Sequence, residues 1–123
     1  MSDKKTALVV DDKDVVRNML VRFTERAGYE VREASGGADG IEALRDYRPD
    51  LVITDYEMPG MDGYEFSKVL RSPEMGYRGR IVVASGRLQK LHEDHPDVNL
   101  YADAFLQKPF LLADFMKAIS PPE

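Results

Sequence analysis

The sequence has no cysteine, which excludes disulfides, catalysis by a thiolate and metal sites with cysteine ligands. No apolar run approaches the ~20 residues that a membrane-spanning helix needs, and residues 2–6 are too polar for a signal peptide. Positive charge is in the minority, with a net charge of −5, so a general nucleic-acid surface is not expected. We therefore expect a cytoplasmic protein that binds neither nucleic acid nor membrane directly.

The composition is that of an ordinary globular protein. Of the 123 residues, 43% are apolar and 32% are charged, and the length is enough for one domain with a real core. The sequence contains no internal repeat, low-complexity segment or interdomain linker. It predicts a single domain over residues 1–123, with an ordered core over about residues 5–120.

Strand and helix patterns alternate along the chain. Short apolar runs predict strands at residues 7–10, 29–34, 51–54, 81–84 and 104–107. The second run is more polar and alternating, which suits an edge strand. Apolar residues at helical spacing predict helices over 15–27, over 38–47, after an Asp62 cap, and over 111–119. Such alternation predicts an α/β fold with a parallel sheet and helices on both faces.

Residues 86–103 are harder to interpret. Leu88 and Leu91 indicate a helix, but Pro96 should break or shorten it. His92 and His95 have a spacing that could bind a metal on one helical turn. The polar composition of this segment favours a solvated surface instead.

Polar side chains follow four of the predicted strands. Asp11 and Asp12 follow the first, Asp55 the third, Ser85 the fourth, and Lys108 the fifth. Ligands bind at this edge of an open α/β sheet, so these groups should converge there. Clustered carboxylates repel unless a cation neutralises them, and an all-oxygen ligand set favours Mg²⁺ or Mn²⁺ over Zn²⁺. A cation, an ammonium and a hydroxyl around a carboxylate could hold a phosphoryl group in transfer.

Simpler roles exist for each of these residues. Asp11 or Asp12 could cap the first helix, since aspartate is a favoured cap. Asp55 could be an ordinary loop residue, Ser85 a turn residue, and Lys108 a solvated lysine. Their joint placement favours the functional interpretation.

Four motifs in order carry a family resemblance. They are Asp11-Asp12, the loop DYEMPGMDG over residues 55–63, Ser85, and Lys108-Pro109-Phe110. Together they resemble the receiver domain of two-component response regulators, over essentially the whole chain. The resemblance implies a flavodoxin-like, doubly wound, five-stranded parallel sheet of order 2-1-3-4-5.

The resemblance also implies the roles of the site residues. Asp55 would accept a phosphoryl group from a histidine kinase or a phosphotransfer protein. Asp12, Asp55 and the backbone carbonyl of Glu57 would bind Mg²⁺ directly, with Mn²⁺ as a substitute, and Asp11 would act through water. Lys108 would contact the phosphoryl group, and its bond to Pro109 would be cis. Apart from the resemblance, the Glu57 side chain could simply face solvent, or its carboxylate could weaken or reshape metal binding two residues from Asp55.

Ser85 and Phe105 would be the switch residues. Phosphorylation would draw the Ser85 hydroxyl toward the phosphate and turn Phe105 inward, changing a surface for a downstream effector or a fused output domain. Such a protein is not an enzyme, beyond assisting its own phosphotransfer and dephosphorylation. A homodimer through the face from the fourth to the fifth helix is also open. Tyr101-Ala102-Asp103 replaces the usual Gly-Ala-Asp, so that face is expected to depart from the family geometry.

Three other functions use a similar fold or similar residues. A phosphatase of the haloacid dehalogenase type would want a second aspartate where Glu57 stands, and a cap domain for which there is no room. A flavin binder would want a Ser/Thr/Gly-rich phosphate loop where the acidic pair stands. A receiver-shaped module that no longer cycles phosphate conflicts with the intact site residues.

Overall fold

Each strand of the protein is followed by a helix. The computed structural model describes residues 4–121. Within this range the strands are β1 (Lys5–Val10), β2 (Tyr29–Ala34), β3 (Leu51–Asp55), β4 (Arg80–Ser85) and β5 (Ala104–Gln107). The helices are α1 (Asp14–Arg26), α2 (Gly37–Leu44), α3 (Gly63–Leu70), α4 (Leu88–Asp94) and α5 (Leu112–Ile119), with a 3₁₀ helix at Val98–Leu100.

The strands form one parallel sheet in the order β2-β1-β3-β4-β5. This confirms the predicted flavodoxin-like fold. β3 is buried along its whole length, as a continuous apolar run predicts for a strand covered on both faces. β2 alternates between buried and exposed residues, and it lies at the edge of the sheet as its polar pattern predicts.

The core has one apolar layer on each face of the sheet. Phe66 of α3 anchors the layer that also contains Leu44 of α2 and Leu91 of α4. Phe115 of α5 and Leu20 of α1 lie in the other layer. Full burial of such a side chain stabilises the fold by about 1.5–3 kcal/mol, so the two layers fix the strand ends firmly.

The structure corrects the predicted end of the second helix. The pattern continues to Tyr47, but α2 ends at Leu44. The Tyr47 hydroxyl donates a hydrogen bond to the carbonyl of Ala7 at 3.2 Å, and the Arg32 guanidinium lies 4.0 Å from the centre of its ring. Tyr47 therefore packs against the strands from the loop after α2, and tertiary contacts replace the helical ones that its spacing suggested.

The helix after β4 is short, as Pro96 predicted. α4 ends at Asp94, and His95 stacks on the ring of Tyr64 with 3.8 Å between ring centres. The Tyr64 hydroxyl donates to the carboxylate of Asp97 at 3.0 Å. These contacts tie the segment after α4 to α3. The predicted cap of α3 is also confirmed, since Asp62 accepts a hydrogen bond from the backbone N–H of Glu65.

Candidate functional site at the carboxyl ends of the strands

Three carboxylates meet where β1 and β3 end. Asp11 and Asp12 directly follow β1, and Asp55 is the last residue of β3, which pairs with β1. One oxygen from each of the three lies within 4.8 Å of the others, and these residues are the one such group found among residues 4–121. Asp11 and Asp55 are buried, whereas the side chain of Asp12 is 27% exposed.

Two oxygens of this acidic group have no hydrogen-bond donor. Asp11 Oδ1 accepts a hydrogen bond from the backbone N–H of Lys13 at 2.9 Å. Asp11 Oδ2 and Asp12 Oδ1 are buried and accept none. Buried anionic oxygens without a donor are costly, and a hard divalent cation with oxygen ligands satisfies them. The residues present therefore fit Mg²⁺.

Lys108 brings positive charge to the same carboxylates. Its Nζ lies 2.6 Å from Asp55 Oδ1 and 3.6 Å from Asp11 Oδ2. The Lys108 backbone N–H donates to the carbonyl of Ser85, and the bond from Lys108 to Pro109 is cis, as the resemblance implies. Burial raises the pKa of Asp55 above its ordinary value, and the hydrogen bond and charge of Lys108 oppose that rise. Repulsion by Asp11 and Glu57 adds to it.

The Ser85 hydroxyl has a partner that the sequence did not indicate. Ser85 is buried at the end of β4, and its hydroxyl donates to the carboxylate of Glu57, 2.8 Å from Oε2 and 3.0 Å from Oε1. The Ser85 oxygen accepts a hydrogen bond from the backbone N–H of Arg87 at 2.9 Å. The position of Glu57, two residues after Asp55 beside the end of β4, was the one signal available for this contact.

Phe105 lies apart from the acidic group. It pairs in register with Val83 of β4, and its half-buried ring packs edge-on against the imidazole of His92, with 4.5 Å between ring centres. His92 and His95 are half-buried and contact different rings. The expectation that both are solvated is therefore wrong, because α4 and the segment after it lie against β5 and α3.

The model of the response regulator receiver domain matches residues 7–120 of the chain. The chain belongs to this family. It is 32% identical to the chemotaxis protein CheY of Halobacterium salinarum, over 94% of both chains. It is also 32% identical to the phosphate regulon regulator PhoB of Pseudomonas aeruginosa, of whose length it spans 46%.

Solved receiver structures agree with the fold. The chemotaxis regulator CheY4 of Vibrio cholerae superposes with a TM-score of 0.80 at 29% identity, over 93% of this chain and 94% of that one. The response regulator TrrA of Thermotoga maritima, solved in complex with Mg²⁺ and BeF, gives a TM-score of 0.79 at 26% identity, over 92% and 94% of the chains.

Family membership carries several general properties. The chain is a receiver domain of two-component signalling, a family phosphorylated on aspartate that works with histidine kinases and output domains. Receiver domains bind Mg²⁺ through acidic residues and are signalling domains. In the part of the chain from residue 4 to residue 121, no helix has the length and apolar character to span a membrane.

Proposed function

We propose that Asp55 is the phosphorylated residue and that it accepts its phosphoryl group from a histidine kinase or a phosphotransfer protein. The observation that carries this proposal is the pairing of buried Asp55 with Lys108 at 2.6 Å, beside two carboxylate oxygens that lack donors. A carboxylate with an ammonium and a cation site beside it has the groups that phosphoryl transfer needs.

In the transfer, an oxygen of Asp55 bonds to phosphorus as the bond from phosphorus to the donor histidine nitrogen breaks. The electron pair of that bond stays on the imidazole. Asp12, Asp55 and the backbone carbonyl of Glu57 would hold Mg²⁺ directly, or Mn²⁺ as a substitute, and Asp11 would act through water. The bound cation supplies charge neutralisation at the phosphoryl oxygens.

Lys108 has two roles in this proposal. Before transfer its ammonium favours the ionised form of Asp55, because it opposes the rise in pKa that burial causes. After transfer the ammonium lies next to the new anionic group and offsets its charge. The 3.6 Å distance from Lys108 Nζ to Asp11 Oδ2 keeps it close to the site in either state.

Phosphorylation adds negative charge at Asp55, and Ser85 and Phe105 are the residues that change conformation in response. Ser85 is the last residue of β4, next to the site. The Phe105 side chain of β5 contacts His92 of α4. A change in both residues would alter the face formed by α4, β5 and α5. We propose that this face meets a downstream effector, a fused output domain or a second copy of the chain.

The same proposal covers the extent of the domain, its location and its own chemistry. Residues 1–123 would form a single receiver domain with an ordered core over about residues 5–120, acting in the cytoplasm. The chain would promote only its own phosphorylation and dephosphorylation.

The test is intact mass after incubation with Mg²⁺ and acetyl phosphate. The wild type is expected to gain a single labile phosphoryl group, and Asp55→Asn is expected to gain none. Asp46→Asn makes the same change of charge at an exposed residue after α2 and should behave like the wild type. No gain in the wild type, with Mg²⁺ demonstrably bound, would overturn the proposal and leave an interaction module that does not cycle phosphate.

A further inference from the structure

We propose that the Glu57 carboxylate is a latch on the Ser85 hydroxyl, which must be released before Ser85 can bond to a phosphoryl group on Asp55. Glu57 is then a positioning residue that acts through Ser85. This inference rests on the proposed function, because it concerns how the phosphorylated state is reached.

The hydrogen bonds of Ser85 leave no spare proton. A serine hydroxyl has one proton to donate and can also accept. In this structure the proton is donated to the Glu57 carboxylate, and the oxygen accepts from the Arg87 backbone N–H. A bond from Ser85 to a phosphoryl oxygen therefore requires the bond to Glu57 to break.

The backbone places Glu57 where it can reach this hydroxyl. Asp55 and Ala84 are partners in the β3–β4 register, and the Tyr56 N–H donates to the Ala84 carbonyl at 2.9 Å. The chain after Asp55 thus stays beside β4 for a further residue. Glu57 follows at once, next to Ser85, so the contact is built into the start of the β3–α3 loop.

The two acceptors for Ser85 are both anions. A hydrogen bond to a carboxylate is stronger than one to a neutral acceptor, so breaking the bond to Glu57 adds to the free energy that switching requires. Glu57 would also repel a phosphoryl group directly, since it already acts on the Asp55 carboxyl through its charge. An experiment must therefore separate the latch from simple repulsion.

A double-mutant cycle makes that separation. The variants are Glu57→Ala, Ser85→Ala and the pair, and the probe is beryllofluoride, a tetrahedral phosphoryl analogue, titrated with Mg²⁺ present. Repulsion by Glu57 is lost in both backgrounds, but the latch exists only with Ser85. Removing Glu57 is expected to tighten binding about tenfold more in the Ser85 background than in the Ser85→Ala background.

A second readout needs no phosphoryl analogue. The Hα–Hβ couplings of Ser85, measured by NMR in the free protein, report whether its side chain occupies one χ1 rotamer. We expect one rotamer in the wild type and a second, minor rotamer in Glu57→Ala, where only the Arg87 N–H still holds the Ser85 oxygen. Glu74→Gln changes the charge at an exposed residue of the loop before β4 and should leave the couplings unchanged.

The outcomes separate this inference from the proposed function. An additive cycle, with backgrounds agreeing within about twofold, would overturn the latch. That result leaves phosphorylation of Asp55 intact. A wild type that binds no beryllofluoride and gains no phosphoryl group would overturn the proposed function and the latch together.

Discussion

The polar groups at the two ends of the sheet differ in how completely they are hydrogen-bonded. At the carboxyl ends of the strands, Asp11 and Asp12 each have one buried oxygen that accepts no hydrogen bond, with a lysine ammonium 3.6 Å away. Near the amino ends of β4 and β5, Arg71 donates to the carbonyls of Tyr77, Gly79 and Tyr101 and to Asp103 Oδ2. Asp103 Oδ2 also accepts from the Ile81 N–H. We call these residues the Arg71 cluster.

The difference teaches what each end is for. A polar group whose hydrogen bonds are all made within the protein contributes to stability. Such a group gains nothing further from binding a ligand. A buried carboxylate left without a donor costs stability and is kept where a ligand completes it. The Arg71 cluster therefore fixes loops, and the acidic group is assigned to a cation.

The largest effect is expected at the Arg71 cluster. Arg71→Ala should lower the free energy of unfolding by about 3 kcal/mol, because it removes the hydrogen bonds to three partly buried carbonyls. Urea unfolding gives the value. Arg78→Ala, at an exposed arginine of the adjacent loop, should cost much less. Equal losses in the two variants would show that the cluster is not a distinct source of stability.

A smaller effect is expected at Asp55, where substitution by asparagine should raise the free energy of unfolding as the pH rises. Burial raises the pKa of its carboxyl, so the folded protein holds this proton more tightly than the unfolded chain does. Asp55 therefore favours folding at low pH, and this contribution is lost as the pH rises from the ordinary value of about 3.9 through the raised pKa.

Unfolding of Asp55→Asn and wild type, compared with a chelator present, measures this contribution. The difference in stability should move in favour of Asp55→Asn as the pH rises across that window and then level off. A difference that stays constant with pH would mean that Lys108 fully compensates the burial of Asp55.

The smallest effect is expected between the two ends, after α4. Tyr64→Phe removes a hydrogen bond to Asp97 but keeps the ring that stacks on His95. The loss should be the smallest of the three, since water can replace this hydrogen bond at a contact that is only partly buried. Tyr101→Phe is the control, because no hydrogen bond of its hydroxyl is found among the contacts of residues 4–121. If the two variants unfold at the same temperature, the hydrogen bond to Asp97 does not stabilise the segment after α4.

The strand ends could be predicted because strands that are buried on both faces need continuous runs of apolar residues. Continuous apolar runs gave β1, β3 and β4, and the polar residues after them gave Asp11, Asp12 and Asp55. Strand order does not follow from periodicity, and it came from the family resemblance. The helix after β4 was correctly expected to be short, because proline acts locally on the backbone.

What the sequence missed depends on side chains that meet across the fold. Glu57 and Ser85 are 28 residues apart, and Arg71 reaches the Tyr101 carbonyl across 30. Their partners depend on the path of two loops, which no local pattern encodes. Tyr47 was wrongly assigned to a helix for the same reason, because its contacts to Ala7 and Arg32 lie outside the pattern that its spacing continues.

Two buried oxygens of the acidic group accept no hydrogen bond, and we infer that a cation completes them. The most direct test compares the unfolding free energies of wild type and Asp12→Ala, with a chelator and with saturating Mg²⁺. Without the ion, Asp12→Ala should be more stable by about 1 kcal/mol, because a buried oxygen without a donor is removed.

At a Mg²⁺ concentration about 100 times the Kd, the wild type should gain about 2.7 kcal/mol and the variant much less. The order of stability of the two proteins then reverses. A wild type that is insensitive to Mg²⁺, or the same order of stability in both conditions, would contradict the account.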